Sequence, residues 1–273
     1  MSSRKIYYYS DEINDEFSGI TREPYRIDSS FKYVDNNLIY LFFKFLVYRV
    51  IMSPAAYIYL KLKFHTKFVN RKCLKQIGKN GYFLFGNHTN VPLDGFTPTT
   101  MAFPKKTFVL VSDENFAVKG TRTFMKMVGG IPLPNDYKTM KSFMKCIDTR
   151  INSNCVVAVY PEAHIWPYYT KIRPFKSDSF HFPCKYKAAS YCFTTTYQTR
   201  KFSKKPRVVV YIDGPFYPDY NLSQTEQKEK LRNEIYDKMV EKSKYSNFEY
   251  HTYLKKEKQL WWKILQSTHF TLF

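Results

Sequence analysis

The chain contains no C-x-x-C pair, and its five cysteines, Cys73, Cys146, Cys155, Cys184 and Cys192, are widely spaced and odd in number. That usage fits a reducing, cytosolic compartment rather than a disulfide framework. The opening "MSSRKIYYYSDEINDEF" has no apolar core, so no secretory signal is expected. No repeat of ~20–50 residues and no low-complexity tract is visible, which argues against a solenoid. Nucleophile elbow, Walker loop, dinucleotide fingerprint and zinc-protease helix are all missing. So are the RNP, KH and zinc-knuckle patterns of RNA-binding modules. Acid is scarce: 23 Asp and Glu face 43 Lys and Arg, a net charge of +20. Such a surplus suits polyanions, whether nucleic acid, an anionic membrane or a phosphorylated small molecule.

Aromatics are abundant, with 24 Phe and 24 Tyr among 273 residues. The length suits one α/β core with additions at both ends. Residues 1–37 read as an irregular or partly ordered arm. Residues 38–60, "LIYLFFKFLVYRVIMSPAAYIYL", are the most apolar run, yet Lys44 and Arg49 interrupt it and Pro54 breaks it. An unbroken span of ~20 apolar residues is therefore absent, and residues 38–62 are expected to lie in a membrane interface, with both cations reaching toward headgroups. A buried core helix is the competing reading.

From about residue 81, strand-like runs alternate with helical ones: "YFLFGN", "TFVLVS", "CVVAVYP", "SYCFTTTYQ" and "RVVVYIDG". Met140, Phe143, Met144, Ile147 and Ile151 form a helical stripe, capped by Asn135 or Asp136 and read as core. Ser223-x-x-Glu226 is a capping box for a helix presenting Leu231, Ile235 and Met239. The fold class is α/β, a mostly parallel mixed sheet flanked by helices. Residues 63–245 form its domain, and 246–273 a tail whose Trp261, Trp262 and Phe270 suit an anchor, a dimer contact or a disordered end.

Ligand-binding residues of open α/β sheets gather past the carboxyl ends of strands. "GNHTN" after Phe85 and "YPEAHIW" after Val159 sit where that rule places them, so His88 and Glu162 can share a cleft. Asp94 lies six positions beyond His88. A strand would hold them ~20 Å apart at ~3.3 Å per residue, and a helix at ~100° per residue would point them apart. A turn at Asn90 and Pro92 would bring the carboxylate back to the imidazole Nδ1–H, leaving Nε2 as a base. His65, His181, His251 and His269 show no partner in sequence.

These blocks resemble the glycerolipid acyltransferase family that includes lysophosphatidic acid acyltransferases. Its first motif, Asn-His, four residues, Asp, is matched by Asn87-His88 and Asp94 with five residues between. Its third, Phe-Pro-Glu-Gly-Thr-Arg, is matched by Tyr160-Pro161-Glu162-Ala163-His164. "GGIPLP" lies where the second motif would, and "IDGPF" resembles the last strand and turn. Asn135-Asp136 and "HIW" stand where the family has arginines, and the fourth motif's proline is absent from "KAASYCFTTTY".

The resemblance covers roughly residues 80–216 and implies O-acyl transfer from acyl-CoA or acyl-carrier protein to a lysophospholipid or other glycerolipid acceptor. It implies no cofactor, no metal and no nucleic acid, and it implies work at the cytoplasmic face of a membrane with anionic lipid. His88 would be the general base and Asp94 its orienting partner. Asn87, Glu162, His164, Trp166, Lys171 and Arg173 would contact substrate, the last two neutralising a phosphate. Rival readings are a lipid-binding protein that has lost turnover, a basic RNA-binding protein, and a hydrolase using His88 and Asp94 as metal ligands.

Overall fold

The structure is a computed structural model that describes residues 4–256 apart from 20–22, 24 and 119. The tail positions Trp261, Trp262, Phe270 and His269 lie outside the described residues. In chain order the elements are β1 (Ile6–Tyr9), α1 (Leu38–Phe45), α2 (Ser53–Phe64), β2 (Lys67–Val69), β3 (Tyr82–Gly86), α3 (Val91–Ala102), β4 (Thr107–Val111), α4 (Arg122–Met127) and β5 (Gly130–Pro132). Then come α5 (Tyr137–Asn152), β6 (Val156–Val159), α6 (His181–Tyr186), β7 (Ala189–Arg200), β8 (Ser203–Phe216), α7 (Gln224–Ser243) and β9 (Thr252–Lys255). A π-helical turn, Leu46–Met52, makes α1 and α2 one continuous rod.

A seven-stranded sheet runs β2-β8-β7-β3-β6-β4-β5, every neighbour parallel except β7 against β8. This is the mostly parallel mixed sheet that the alternation of runs predicts. β3 is buried along its whole length, and successive residues face opposite layers. Phe83 and Phe85 meet Phe143, Ile147 and Ile151 of α5 and Leu231, Ile235 and Met239 of α7. Tyr82 and Leu84 meet Leu60 and Phe64 of α2 and Leu93 and Met101 of α3. Burial on both faces is why β3 reads as an unbroken apolar run. Asp136 caps α5 and the Ser223–Glu226 box caps α7. Met140, in the first turns of α5, stays exposed, so the core stripe starts at Phe143.

The rod Leu38–Phe64 is 27 residues, long and apolar enough by length and composition to cross a membrane. A buried helix is not what forms. Leu38, Ile39, Phe42, Phe43, Phe45, Val50 and Ile51 all stand exposed. The rod is held through Tyr48, whose hydroxyl donates to the Thr107 carbonyl at 3.2 Å and accepts the Thr107 N–H at 2.8 Å. Its two interrupting cations fold back onto the domain: Lys44 Nζ lies 4.9 Å from the Phe108 ring centre, and Arg49 donates to the Pro104 carbonyl.

The arm holds a strand, β1, which pairs in parallel with β9, Ile6 opposite Thr252 and Tyr9 opposite Lys255. His251 also has a partner: its Nδ1 accepts the Lys5 N–H at 3.1 Å.

Candidate active site

β3 ends at Gly86, and the next four residues turn back before α3 begins. Asn90 accepts the Leu93 N–H through its side chain, and Pro92 sits in the first turn, where a missing N–H costs nothing. Asp94 is thereby placed in the first turn of α3, where the helix dipole favours a carboxylate. Its Oδ2 accepts the His88 Nδ1–H, the Thr89 N–H and the Asn90 N–H, each at 2.8 Å. The extra residue between His88 and Asp94 is absorbed by this turn. Asp94 is buried, its Oδ1 without a hydrogen-bond partner among the described residues. The His88 side chain is 19 % exposed, and its Nε2 bonds no described residue.

Several groups fix the dyad from behind. The Tyr160 ring stacks on the imidazole at 4.5 Å between centroids. Asn87 is locked to β7, donating to the Thr195 carbonyl at 3.0 Å and accepting its N–H at 2.8 Å. Thr89 Oγ1 lies 2.8 Å from the Tyr197 hydroxyl.

Glu162 does meet His88, but through the backbone. One carboxylate oxygen accepts the His88 N–H and the other the Arg173 N–H, both at 3.1 Å. The Arg173 guanidinium lies against the same carboxylate, with Nε 3.7 Å from Oε2, and donates to the carbonyls of Glu12, Glu162 and His164. Burial pushes the Glu162 carboxyl above its ordinary range, and Arg173 together with the two backbone N–H groups opposes that rise.

This corrects the placement of several residues expected to touch substrate. Arg173 is 1 % exposed and Trp166 0 %, so neither faces an incoming ligand. Trp166 stacks on Tyr253 of β9 at 5.0 Å and donates its indole N–H to the Asp15 carbonyl at 2.7 Å. Asn87 is likewise spent on β7. His164 reaches outward instead, its Nδ1 3.2 Å from Glu16 Oε2 of the arm. Lys171 is exposed, as is Lys176 further along the same connection. Where the family has an arginine, "HIW" receives the arm.

The residues missed in sequence are Tyr160, Tyr197 and the arm's Glu12, Asp15 and Glu16. Only Tyr160 carried a signal, standing at the end of β6. Among the described residues, no group of three or more His, Cys, Asp and Glu could hold a metal ion.

The family model described as Acyltransferase matches residues 62–198, half of the chain, and so covers β3, α3 and the whole loop from Tyr160 to Arg173. The chain belongs to the acyltransferase family. As an acyltransferase it has a fold close to that of a solved structure, the 1-acyl-sn-glycerophosphate (LPA) acyltransferase PlsC from Thermotoga maritima. The TM-score is 0.54 at 15 % identity, over 77 % of this chain and 89 % of that one. None of the curated proteins matches this acyltransferase by sequence.

Proposed function

We propose that this acyltransferase moves a fatty acyl group from acyl-CoA or acyl-carrier protein to the hydroxyl of a lysophospholipid or related glycerolipid in phospholipid biosynthesis. It works at the cytoplasmic face of a membrane. The observation that carries the reading is the 2.8 Å bond from His88 Nδ1 to Asp94, which fixes the tautomer and leaves Nε2 without a described partner. Nε2 takes the proton of the acceptor hydroxyl as its oxygen attacks the thioester carbonyl. The tetrahedral intermediate then collapses, the C–S bond breaks, and the imidazolium returns the proton to the departing thiolate. Asp94 stabilises the imidazolium between these steps and holds its plane.

Asn87, Glu162 and Arg173 are positioning residues in this reading, fixing the backbone on either side of His88. Lys171 and His164 are loop side chains placed to meet a headgroup. A lysophosphatidate-like acceptor would then be neutralised by Lys171 rather than by Arg173. The exposed apolar face of the rod supports membrane association, since a patch of that size seldom stays in water.

The test is turnover of labelled acyl-CoA with a panel of lysophospholipids. Product in the native protein and none in a folded His88→Ala variant is the expected result; retained turnover in that variant defeats the assignment. A family member that only binds lipid is the second reading, favoured by the burial of Arg173. It predicts lysophospholipid binding with no transfer in either protein.

A further inference from the structure

His88 and Glu162 gather past the carboxyl ends of β3 and β6. At the opposite end of the strands lies a second concentration of charge. Lys106 immediately precedes β4, Arg150 lies in the last turn of α5, Lys126 belongs to α4, and Lys44 descends from the rod. Lys44 Nζ and Arg150 Cζ lie 4.9 and 4.4 Å from the centre of the same Phe108 ring. Lys126 Nζ lies 5.3 Å from the Phe31 ring and 5.7 Å from that of Tyr40. Lys44 and Lys126, with Tyr33, Asp35, Phe108 and the β5 residues Gly130 to Pro132, wall a recess that opens to solvent and has little more than water-sized room inside, while Arg150 and Lys106 lie beside it.

None of the four cations forms an ion pair among the described residues. The Arg150 Nε is buried without a hydrogen-bond partner, as is the Tyr33 hydroxyl. Asp35, the one carboxylate on the wall, already accepts the Asn37 N–H at 3.0 Å. Burial holds the Lys126 ammonium below its ordinary range, with Lys32 and Arg150 adding to the effect and Asp35 opposing it. Arg150 Nη2 donates to the Tyr33 carbonyl at 3.4 Å, which leaves Lys44 and Lys126 as the like charges on the wall, an arrangement that an anion at the mouth would relieve. A phosphate oxygen set accepts charge-assisted bonds from both lysine and arginine. Beside the recess, Leu41 and Phe45 stand exposed on α1, one turn or less from Lys44.

We propose that the mouth of this recess is a second lipid site, remote from His88, where Lys44 and Lys126 meet the phosphate of an anionic glycerophospholipid while the acyl chains lie along the exposed face of α1. The rod is then held to the bilayer by one headgroup clamp as well as by its apolar surface. Binding does not depend on the acyl-transfer chemistry, and the His88→Ala protein should bind alike.

The experiment is flotation of the full chain with vesicles of phosphatidylcholine alone or phosphatidylcholine with phosphatidic acid. It uses the native protein, Lys44→Gln with Lys126→Gln, and a control of equal charge, Lys201→Gln with Lys204→Gln, on the β7–β8 hairpin. The recess pair should lose on the order of tenfold or more of the preference for phosphatidic acid, given the weight of each cation near an anionic surface. The control pair should lose much less. Equal losses would mean a diffuse field and would overturn the site.

Amine labelling of the native chain keeps the test independent of variant folding. Lys126 and Lys106 should be protected by phosphatidic acid vesicles and remain reactive with phosphatidylcholine vesicles. Equal reactivity in both, or equal protection by inorganic phosphate alone, would defeat the lipid assignment.

Discussion

Tyr160 touches both members of the dyad. Its ring lies parallel to the His88 imidazole within 21°, and its hydroxyl donates to the Asp94 backbone carbonyl at 2.5 Å. One side chain at the end of β6 thus sets the plane of the base and the height of α3 together. Burial and the nearby Asp94 raise the phenol well above its ordinary range, so it remains a donor throughout the working pH range.

His88→Ala should lower turnover by ~10²–10⁴-fold, the usual worth of general-base work, with the melting temperature near native. Asp94→Asn should also lower turnover and, unlike His88→Ala, destabilise the fold by ~1–3 kcal/mol, because Oδ2 also accepts two backbone N–H groups. Steady-state acyl transfer and urea melts on the same preparations separate the two effects.

Arg173→Met should cost about 3–5 kcal/mol of stability, since it leaves the buried Glu162 carboxylate unpaired. Lys171→Gln should leave stability within ~0.5 kcal/mol and instead raise KM for a phosphorylated acceptor. If Arg173 were the headgroup contact, the two outcomes would be exchanged.

Gly86 is the residue on which the motif's approach depends. A Cβ there would lie 2.1 Å from the Phe193 ring on β7. Gly86→Ala should therefore cost ~1–3 kcal/mol and displace His88, with lower kcat. Adding Phe193→Leu should restore part of both losses, and a double-mutant cycle with no coupling would contradict the contact.

The pairing of β1 with β9 should weaken in acid. Burial holds the His251 imidazole below its ordinary 6.5, with Lys5 adding to the depression, and the rings of Tyr7, Tyr168 and Tyr250 face it. The neutral ring is needed to accept the Lys5 N–H. Its contribution is complete above 6.5, the value of the freed side chain, and is lost as pH falls through the lower value of the buried one. Hydrogen exchange of the β1 amides should accelerate below that point in the native protein, and His251→Phe should abolish the pH step.

Phe42→Ser with Phe43→Ser should weaken vesicle binding by tenfold or more while leaving the melt unchanged, because both rings are exposed. The estimate follows from ~25 cal/mol per Å² of apolar surface withdrawn from water. Unchanged flotation would place the rod away from the bilayer.

Much of this architecture is legible in the chain. β3 and β6 declare themselves as short apolar runs followed by polar clusters, and Asn90 with Pro92 encodes the turn that returns Asp94 to His88. What is hidden is hidden for physical reasons. The strand "IYYY" has its partner 246 positions away, and no local period reports a distant pairing. Arg173 looks like a headgroup ligand in a basic stretch, because nothing short of the folded loop shows its guanidinium sealed beneath Trp166, 5.0 Å from the ring. The stripe of α5 extends one residue too far at Met140, since periodicity marks a face and not where the sheet beneath it ends.

The parallel pairing of Ile6–Tyr9 with Thr252–Lys255 has a consequence for biosynthesis. Trp166 and the Glu162–Arg173 pair are sheathed partly by Tyr9, Phe17 and Tyr253, which come from both sides of the domain. During translation the early half of that sheath is made first and has nothing to zip against. The sheath behind the base is therefore closed only once β9 has been made, and a nascent chain halted before residue 252 would carry its histidine and carboxylate on an unsealed support.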